Sequence, residues 1–167
     1  QYGSMVPNDG SAENRKRELT AVVGNVTVDA LVITQTFAVT VVGGNPSNHP
    51  YHNVGSTNKF AIDGSTATAD VTLTFEEGKT YRFDQSDSSN DGHPLRISAT
   101  PNGTHGGGTE YTVGVVTNGV AGQSGAYTQI TVAVGAPTLY YYCTNHSAMG
   151  WTICLLYTSD AADDMQC

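Results

Sequence analysis

Apolar and polar residues alternate over short runs of this chain, and turns rich in glycine and asparagine separate the runs. In one run Val71, Leu73 and Phe75 alternate with threonines, which is the period of a β-strand with one buried face. The same pattern predicts strands at residues 36–42, 59–63, 70–75, 80–84, 95–100, 112–117, 127–134 and 138–143. The pattern therefore predicts an all-β protein.

Short strands separated by turns favour two packed sheets, and we expect a β-sandwich of about seven or eight strands with Greek-key connections. The turn residues at 76–79 predict that strands 70–75 and 80–84 form a hairpin. In the run from 127 to 134, Ile130, Val132 and Val134 are expected to share one face. A last strand is predicted to begin at Gly150.

The chain divides into segments of different character. Residues 1–20 are polar without a sustained period, which predicts a disordered tail or linker. Residues 21–35 carry short β-branched runs and are expected to be a β-rich stalk or a first strand. Residues 36–153 form the predicted main domain. Because the chain begins with Gln1 instead of Met, we expect that further sequence precedes it.

Residues 154–167 need separate treatment, because the run from 154 to 163 resembles the translated read-through of a sequencing adapter. We therefore expect a non-native tail. Its first residues have high strand propensity, so they are predicted to complete an edge strand to about Thr158, with irregular chain beyond. Without this tail Cys143 is a lone cysteine, which favours a metal ligand or a buried thiol over a disulfide.

Charge and motifs exclude several functions. The net charge is −8, and the few Lys and Arg residues are scattered apart from Arg15 to Arg17, which argues against nucleic-acid binding. No apolar run approaches the roughly 18 residues of a membrane span. A nucleophile elbow, a zinc-protease helix motif and a nucleotide-binding glycine loop are all absent, so we expect a protein that is not an enzyme.

The strongest chemical signal is the spacing Cys143-x2-His146-x2-Met149 at the exit of a tyrosine-rich strand. A thiolate, an imidazole and a thioether are soft or borderline ligands, and a second imidazole would complete a blue-copper site. His93, which precedes a β-run, is the candidate for that imidazole. Zinc is less expected because its sites rarely include Met. The alternative is a buried thiol beside a surface histidine.

These residues resemble the cupredoxin family, the blue-copper β-sandwich proteins, over roughly residues 36–153, with a short ligand loop. The resemblance implies that His93 and His146 supply the imidazoles, Cys143 the thiolate and Met149 the axial sulfur for one copper ion. It implies single-electron transfer with a redox partner protein, or copper holding. The chain departs from the family at Pro94, where many members have Asn; Pro94 has no N–H with which to tie the ligand loops together.

A second interpretation comes from the stretch at residues 24–28, which is similar to repeats in the β-rich shafts of phage appendages. The segments 84–87 and 142–146 also resemble structural proteins of marine phages. These resemblances imply a cupredoxin-like attachment or structural module of a virion or cell-surface appendage, with appendage proteins as partners and the metal structural or absent. Either interpretation implies an extracytoplasmic (periplasmic or secreted) or virion location.

Other histidines offer weaker signals. His49 and His52 have the spacing of a second metal site, but Pro50 and the asparagine-rich flanks favour a solvated loop. His105 stands beside three glycines, which favour a tight surface turn over a ligand position.

The remaining candidates concern the loop before His93 and the aromatic residues. Asp87, Ser89, Asp91 and Gly92 imitate half of a calcium loop, although an Asx turn that positions His93 is the simpler interpretation. Tyrosines 140–142 alternate across the predicted sheet, so one or two should be core residues. Trp151 is expected either over the metal site or at the end of the sandwich.

Overall fold

The structure is a computed structural model that describes residues 31–157 and 165–167, and Ile33–Cys167 forms one compact unit. The predicted tail at 1–20 and most of the predicted stalk at 21–35 lie outside the described residues. The strands are β1 (Gln35–Val42), β2 (Lys59–Ile62), β3 (Leu73–Glu76), β4 (Thr80–Asp84), β5 (Leu95–Ser98), β6 (Val115–Asn118), β7 (Tyr127–Thr131), β8 (Leu139–Cys143), β9 (Thr152–Leu156) and β10 (Met165–Gln166). The all-β prediction is confirmed, with more strands than the seven or eight expected.

The strands form two mixed sheets. The first has the order β2-β1-β4-β7-β6, in which β1 and β4 are parallel and the other pairs antiparallel. The second has the order β10-β9-β8-β5, with β3 added in parallel to β9. No helix within the described residues is long and apolar enough to cross a membrane.

The strand predicted at 70–75 begins later than expected, and the hairpin predicted for it is wrong. Residues Thr68–Val71 form a single α-helical turn (α1), and the strand begins only at Leu73. The turn at 76–79 is present, with the Lys79 amide donating to the Glu76 carbonyl at 3.2 Å, but it does not close a hairpin. It connects two sheets, because β3 pairs with β9 while β4 pairs with β1 and β7. Alternation shows which face is buried, not which strand is the neighbour.

Aromatic rings join the two sheets in the core. Phe75 on β3 stacks on Tyr81 of β4 with ring centroids 3.8 Å apart, and Phe83 lies 5.6 Å from Tyr141 of β8. Phe37 of β1 stacks on both Phe75 and Phe83 at 5.8 Å. Contacts of this kind add to the burial of large apolar side chains, so they fix the two sheets against each other.

Strand β7 is shorter than predicted, which changes one face assignment. It ends at Thr131, and although Ile130 and Val132 are buried, Val134 is 85% exposed. The period-two pattern loses its meaning once the pairing stops, because the chain turns at Gly135. Val134 is therefore not part of the buried face that the alternation predicted.

The last predicted strand exists as β9, but it is not at an edge. It runs between β3, to which it is parallel, and β8, to which it is antiparallel. Cys154 and Leu155 are buried, and Cys154 forms a disulfide with Cys167, a bond compatible with an extracytoplasmic location. Part of the chain expected to be irregular forms β10, while 158–164 lie outside the described residues.

Candidate metal centre

Three of the predicted ligands lie together at one end of the second sheet. Cys143 is the last residue of β8 and pairs with Leu95 of β5. This register brings the loop before β5, which carries His93, beside the loop after β8, which carries His146. The Cys143 Sγ lies 3.8 Å from Nδ1 of each histidine, and the two imidazole centroids are 4.5 Å apart.

This group fits a metal ion. All three ligand atoms lie within 4.8 Å of one another, and no other group of three or more His, Cys, Asp or Glu side chains among the described residues is arranged in this way. With bonds of about 2.0 Å to nitrogen and about 2.3 Å to sulfur, the Sγ to Nδ1 separations correspond to angles of roughly 120° at a shared ion. The arrangement therefore suits trigonal coordination, without identifying the metal.

Met149 is fully buried in the same hydrophobic cluster as Cys143. Its carbonyl accepts a 2.9 Å hydrogen bond from the amide of Phe60, which holds the end of the ligand loop (residues 144–149) against β2. Its thioether is thus a buried soft donor on the same loop as His146. His146 is the most exposed of the three clustered ligands, so the site has one solvent-facing side.

The surroundings of Cys143 and His93 favour the neutral form of each side chain before a metal binds. Burial raises the pKa of the Cys143 thiol, and hydrogen bonds from the backbone of Asn145 and His146 oppose this shift. Burial lowers the pKa of His93, the neighbouring His146 lowers it further, and Asp91 opposes the change. At neutral pH His93 is therefore free to ligate, whereas a metal must displace the thiol proton, so metal affinity should rise with pH.

The two ligand loops are tied together in spite of Pro94. The Asn145 side chain donates a 2.9 Å hydrogen bond to the Gly92 carbonyl, and the Thr144 amide donates to the Pro94 carbonyl at 3.1 Å. In both contacts the donor lies on the ligand loop and the acceptor lies beside His93. The N–H that Pro94 lacks is not needed, because the loops are joined in the opposite direction.

The side chain of Gln85 supports His93 from the interior. Its amide donates to the His93 carbonyl at 2.9 Å, and its oxygen accepts from the Leu95 amide at 2.8 Å. The same side-chain nitrogen lies 3.2 Å from the Asn90 side-chain oxygen. Gln85 therefore spans Pro94 and holds the backbone on both sides of it.

His105 lies outside the group formed by His93, Cys143 and His146. It lies in the 3-10 turn at Gly103–Gly106, where the glycines allow the chain to pass close to Pro101 and to the ring of Tyr142. This agrees with the surface turn expected for it. Its Nε2 lies 2.9 Å from the carbonyl of Cys143, so it contacts the backbone of the thiol residue instead of the thiol.

The rings of His49 and His52 contact different backbone groups. His49 is buried, and its Nδ1 accepts from the Tyr51 amide at 3.1 Å. His52 instead contacts the Asn45 carbonyl at 3.0 Å. The H-x2-H spacing is explained by turns, since the His52 amide donates to the His49 carbonyl.

The half calcium loop is an Asx turn. The Asp87 carboxylate accepts from the Ser89 amide at 2.9 Å and from its hydroxyl at 2.6 Å, which caps the 3-10 turn at Ser88–Asn90. These hydrogen bonds lower the pKa of Asp87. The turn leads directly into the His93 loop, as the Asx interpretation expected.

The aromatic residues around the strand that carries Cys143 are structural. Tyr141 and Tyr142 are both buried, and the Tyr141 hydroxyl donates to the Val71 carbonyl at 2.7 Å. Trp151 is partly buried and meets the ring of Tyr51 edge to face at 4.9 Å. The two tyrosines confirm the expectation that one or two of residues 140–142 are core residues.

Sequence reasoning missed the residues that support the ligands. Lys59, Gln85, Asn102 and Asn145 all hydrogen bond to the backbone near the site. None is one of the ligand positions in the sequence motif, and their partners are up to 89 positions away in the chain. A lysine inside a short apolar run was the one available signal, because lysine is almost never fully buried without partners.

Comparison with known protein families, curated proteins and solved structures finds no match to this chain. The class of the protein therefore rests on its own features: two mixed β-sheets and, at one end of them, a His-Cys-His group in which His93 and Cys143 are buried.

Proposed function

We propose that this protein is a mononuclear type 1 copper protein of the cupredoxin kind, which transfers single electrons or holds copper. In this proposal His93, Cys143 and His146 would hold the copper ion, and Met149 on the same loop would supply a further sulfur donor. The observation that carries it is the pair of 3.8 Å separations between the Cys143 sulfur and the two Nδ1 atoms. The chain spacing, in which the same loop supplies Met149, supports copper over zinc.

A bound copper ion would supply a one-electron couple at this site. The chain contributes a fixed geometry, because each ligand is attached to paired strands or tied loops that exist before metal binding. A rigid ligand set suits electron transfer, since little rearrangement accompanies a change in charge. With four side chains as ligands, no coordination position is left for a substrate, so we propose no catalytic role.

Copper titration of the purified chain tests this function. Addition of Cu(II) should produce an intense visible thiolate-to-copper absorption at one copper per chain, and Cys143→Ser should abolish the band. Ascorbate should bleach the colour and ferricyanide should restore it. A colourless protein in which Cys143→Ser changes nothing, or a chain that retains zinc and excludes copper, overturns the proposal.

An attachment or structural role on a virion or cell-surface appendage is a second proposal, favoured by the phage-like stretch at residues 24–28. It is compatible with a retained copper ion. Sequencing of the neighbouring reading frames tests it: virion assembly genes beside this one support the proposal, and a secretion signal directly before residue 1 contradicts it.

A further inference from the structure

Lys59 is a buried lysine directly beneath the ligand loop. It lies in β2 and is 0% exposed, which is unusual for lysine because a buried charge without partners is costly. Among the described residues, no carboxylate forms an ion pair with it. Its Nζ instead donates to three backbone carbonyls, those of Val54 at 2.7 Å, Ser56 at 2.6 Å and Ala148 at 2.7 Å.

The number of hydrogen-bond acceptors around Nζ indicates whether the charged or the neutral form of Lys59 fits the site. An ammonium group has three N–H donors and no acceptor, so three carbonyls at 2.6–2.7 Å satisfy it completely. Burial lowers the pKa of Lys59, but a neutral amine has only two donors, and its lone pair would face a carbonyl oxygen. The nearby His49 adds no second cation at neutral pH, since burial and Lys59 lower its pKa to about 4.

One of the three acceptors belongs to the ligand loop, between His146 and Met149. The carbonyls before and after it are also held by the supporting segment (residues 54–60): the Ser56 amide donates to Ser147 at 3.0 Å and the Phe60 amide donates to Met149 at 2.9 Å. Three consecutive carbonyls of the loop are therefore held by one segment, with Lys59 in the middle.

Lys59 acts where the loop backbone is strained. Ala148 has a φ of 57°, a left-handed conformation that costs a residue with a Cβ about 1 kcal/mol or more. Its carbonyl is held by Lys59, and its amide donates to the Asn102 side chain at 2.7 Å. The residue just before Met149 is thus fixed at both backbone polar groups.

From these contacts we propose that Lys59 is the positioning residue of the metal centre: it holds the end of the ligand loop in its metal-binding conformation, and its buried positive charge favours the lower oxidation state of a bound metal. The first effect is independent of metal, and the second rests on the proposed copper function. A cation within a low-dielectric interior acts on a neighbouring charge with little screening, so it disfavours Cu(II) relative to Cu(I).

The test compares Lys59→Met with Lys79→Met. Both changes remove one positive charge, but Lys79 is exposed in the turn between β3 and β4, so it serves as a matched control. In the metal-free protein, Lys59→Met should speed hydrogen exchange of the Ser56 and Phe60 amides at least tenfold. In the copper-loaded protein it should lower the ratio of Cu(I) to Cu(II) affinity about tenfold, which is about 59 mV for one electron. Lys79→Met should change each quantity less than twofold.

The outcomes separate the parts of the proposal. Unchanged amide exchange overturns the positioning role, and an unchanged affinity ratio, or an equal change in Lys79→Met, overturns the effect of charge. A wild-type chain that binds no copper contradicts the proposed copper function. The hydrogen-exchange test of the positioning role still applies, because it uses the metal-free protein. If Lys59→Met does not fold, the wild-type protein decides: ¹⁵N-lysine spectra near pH 6 should show one slowly exchanging ammonium group, and its absence overturns the positioning role.

Discussion

The side chain of His49 shows how one buried residue changes the response of the protein to acid. Its Nδ1 accepts from the Tyr51 amide, and the imidazole is 2% exposed. Burial, and then the charge on Lys59, lowers its pKa from 6.5 to about 4. Because the folded state resists protonation of this residue and the unfolded state does not, its contribution to stability is complete above pH 6.5 and is lost as the pH falls towards 4.

We therefore expect His49→Asn to make the protein less sensitive to acid. Asparagine keeps an acceptor for the Tyr51 amide but cannot be protonated, so the loss of unfolding free energy between pH 7 and pH 4 should shrink by on the order of 2 kcal/mol. Urea unfolding at the two pH values measures this, with the partly exposed His52→Asn as the control. Equal acid sensitivity in wild type and His49→Asn contradicts the assignment.

At the scale of the elements, the site is made by the pairing of β5 with β8 and by the ties between the loops that follow. The register that places Leu95 opposite Cys143 brings His93 and His146 to one end of the sheet. Asn145 then joins the two loops through the Gly92 carbonyl. Polar contacts that orient metal ligands typically change metal affinity by 10- to 100-fold when they are removed.

Asn145→Ala should therefore weaken metal binding about tenfold while it changes the unfolding free energy by less than about 1 kcal/mol, since the hydrogen bond is exposed. Asn118→Ala is a matched control, because its side chain makes an exposed 2.9 Å hydrogen bond to the Gly125 carbonyl. Competition with a chromophoric chelator measures the affinities. A loss of affinity that is the same in both variants would show that the tie between the loops has no specific role.

The same scale explains why the predicted hairpin was wrong. The alternation of Leu73 with Phe75 gave the buried face correctly, and the turn with Gly78 at positive φ is also present. However, the partner of a strand depends on long-range packing, and here Phe75 stacks across the core on Tyr81 while its backbone pairs with β9. The local sequence does not show which strand will be the partner.

At the scale of the whole molecule, the C-terminal residues look non-native in sequence but contribute to the fold. The sequence of residues 154–163 resembles adapter read-through, yet the structure places residues 154–156 and 165–166 within the second sheet. Leu155 is 0% exposed and lies opposite Phe75. Residues with high strand propensity can complete a sheet whatever their origin, because the backbone pairing needs no particular side chain.

Two truncated chains test which of the C-terminal residues stabilise the fold. A chain that ends at Ile153 loses the pairs of β3 with residues 154–156 and the buried Leu155, so we expect its unfolding free energy to fall by at least about 3 kcal/mol. A chain that ends at Tyr157 keeps β9 and, of the described contacts, loses β10, the disulfide and the hydrogen bond from the Tyr157 hydroxyl to Gln166, so it should stay folded. Chemical denaturation compares the two with the full chain. Equal stability of the shorter chain and the full chain would mean that β9 does not need residues 154–156.

The sequence by itself determined what depends on near neighbours: the all-β class, the positions of most strands, and the cysteine, histidine and methionine on one loop. Period-two alternation and spacing within a loop are local properties, so they can be read without knowledge of the fold. Only the tertiary structure decided which strands pair, that His93 meets a thiol 50 positions away, and that Lys59 lies beneath the ligand loop. These contacts join distant parts of the chain, and the packing of two sheets around one core selects them.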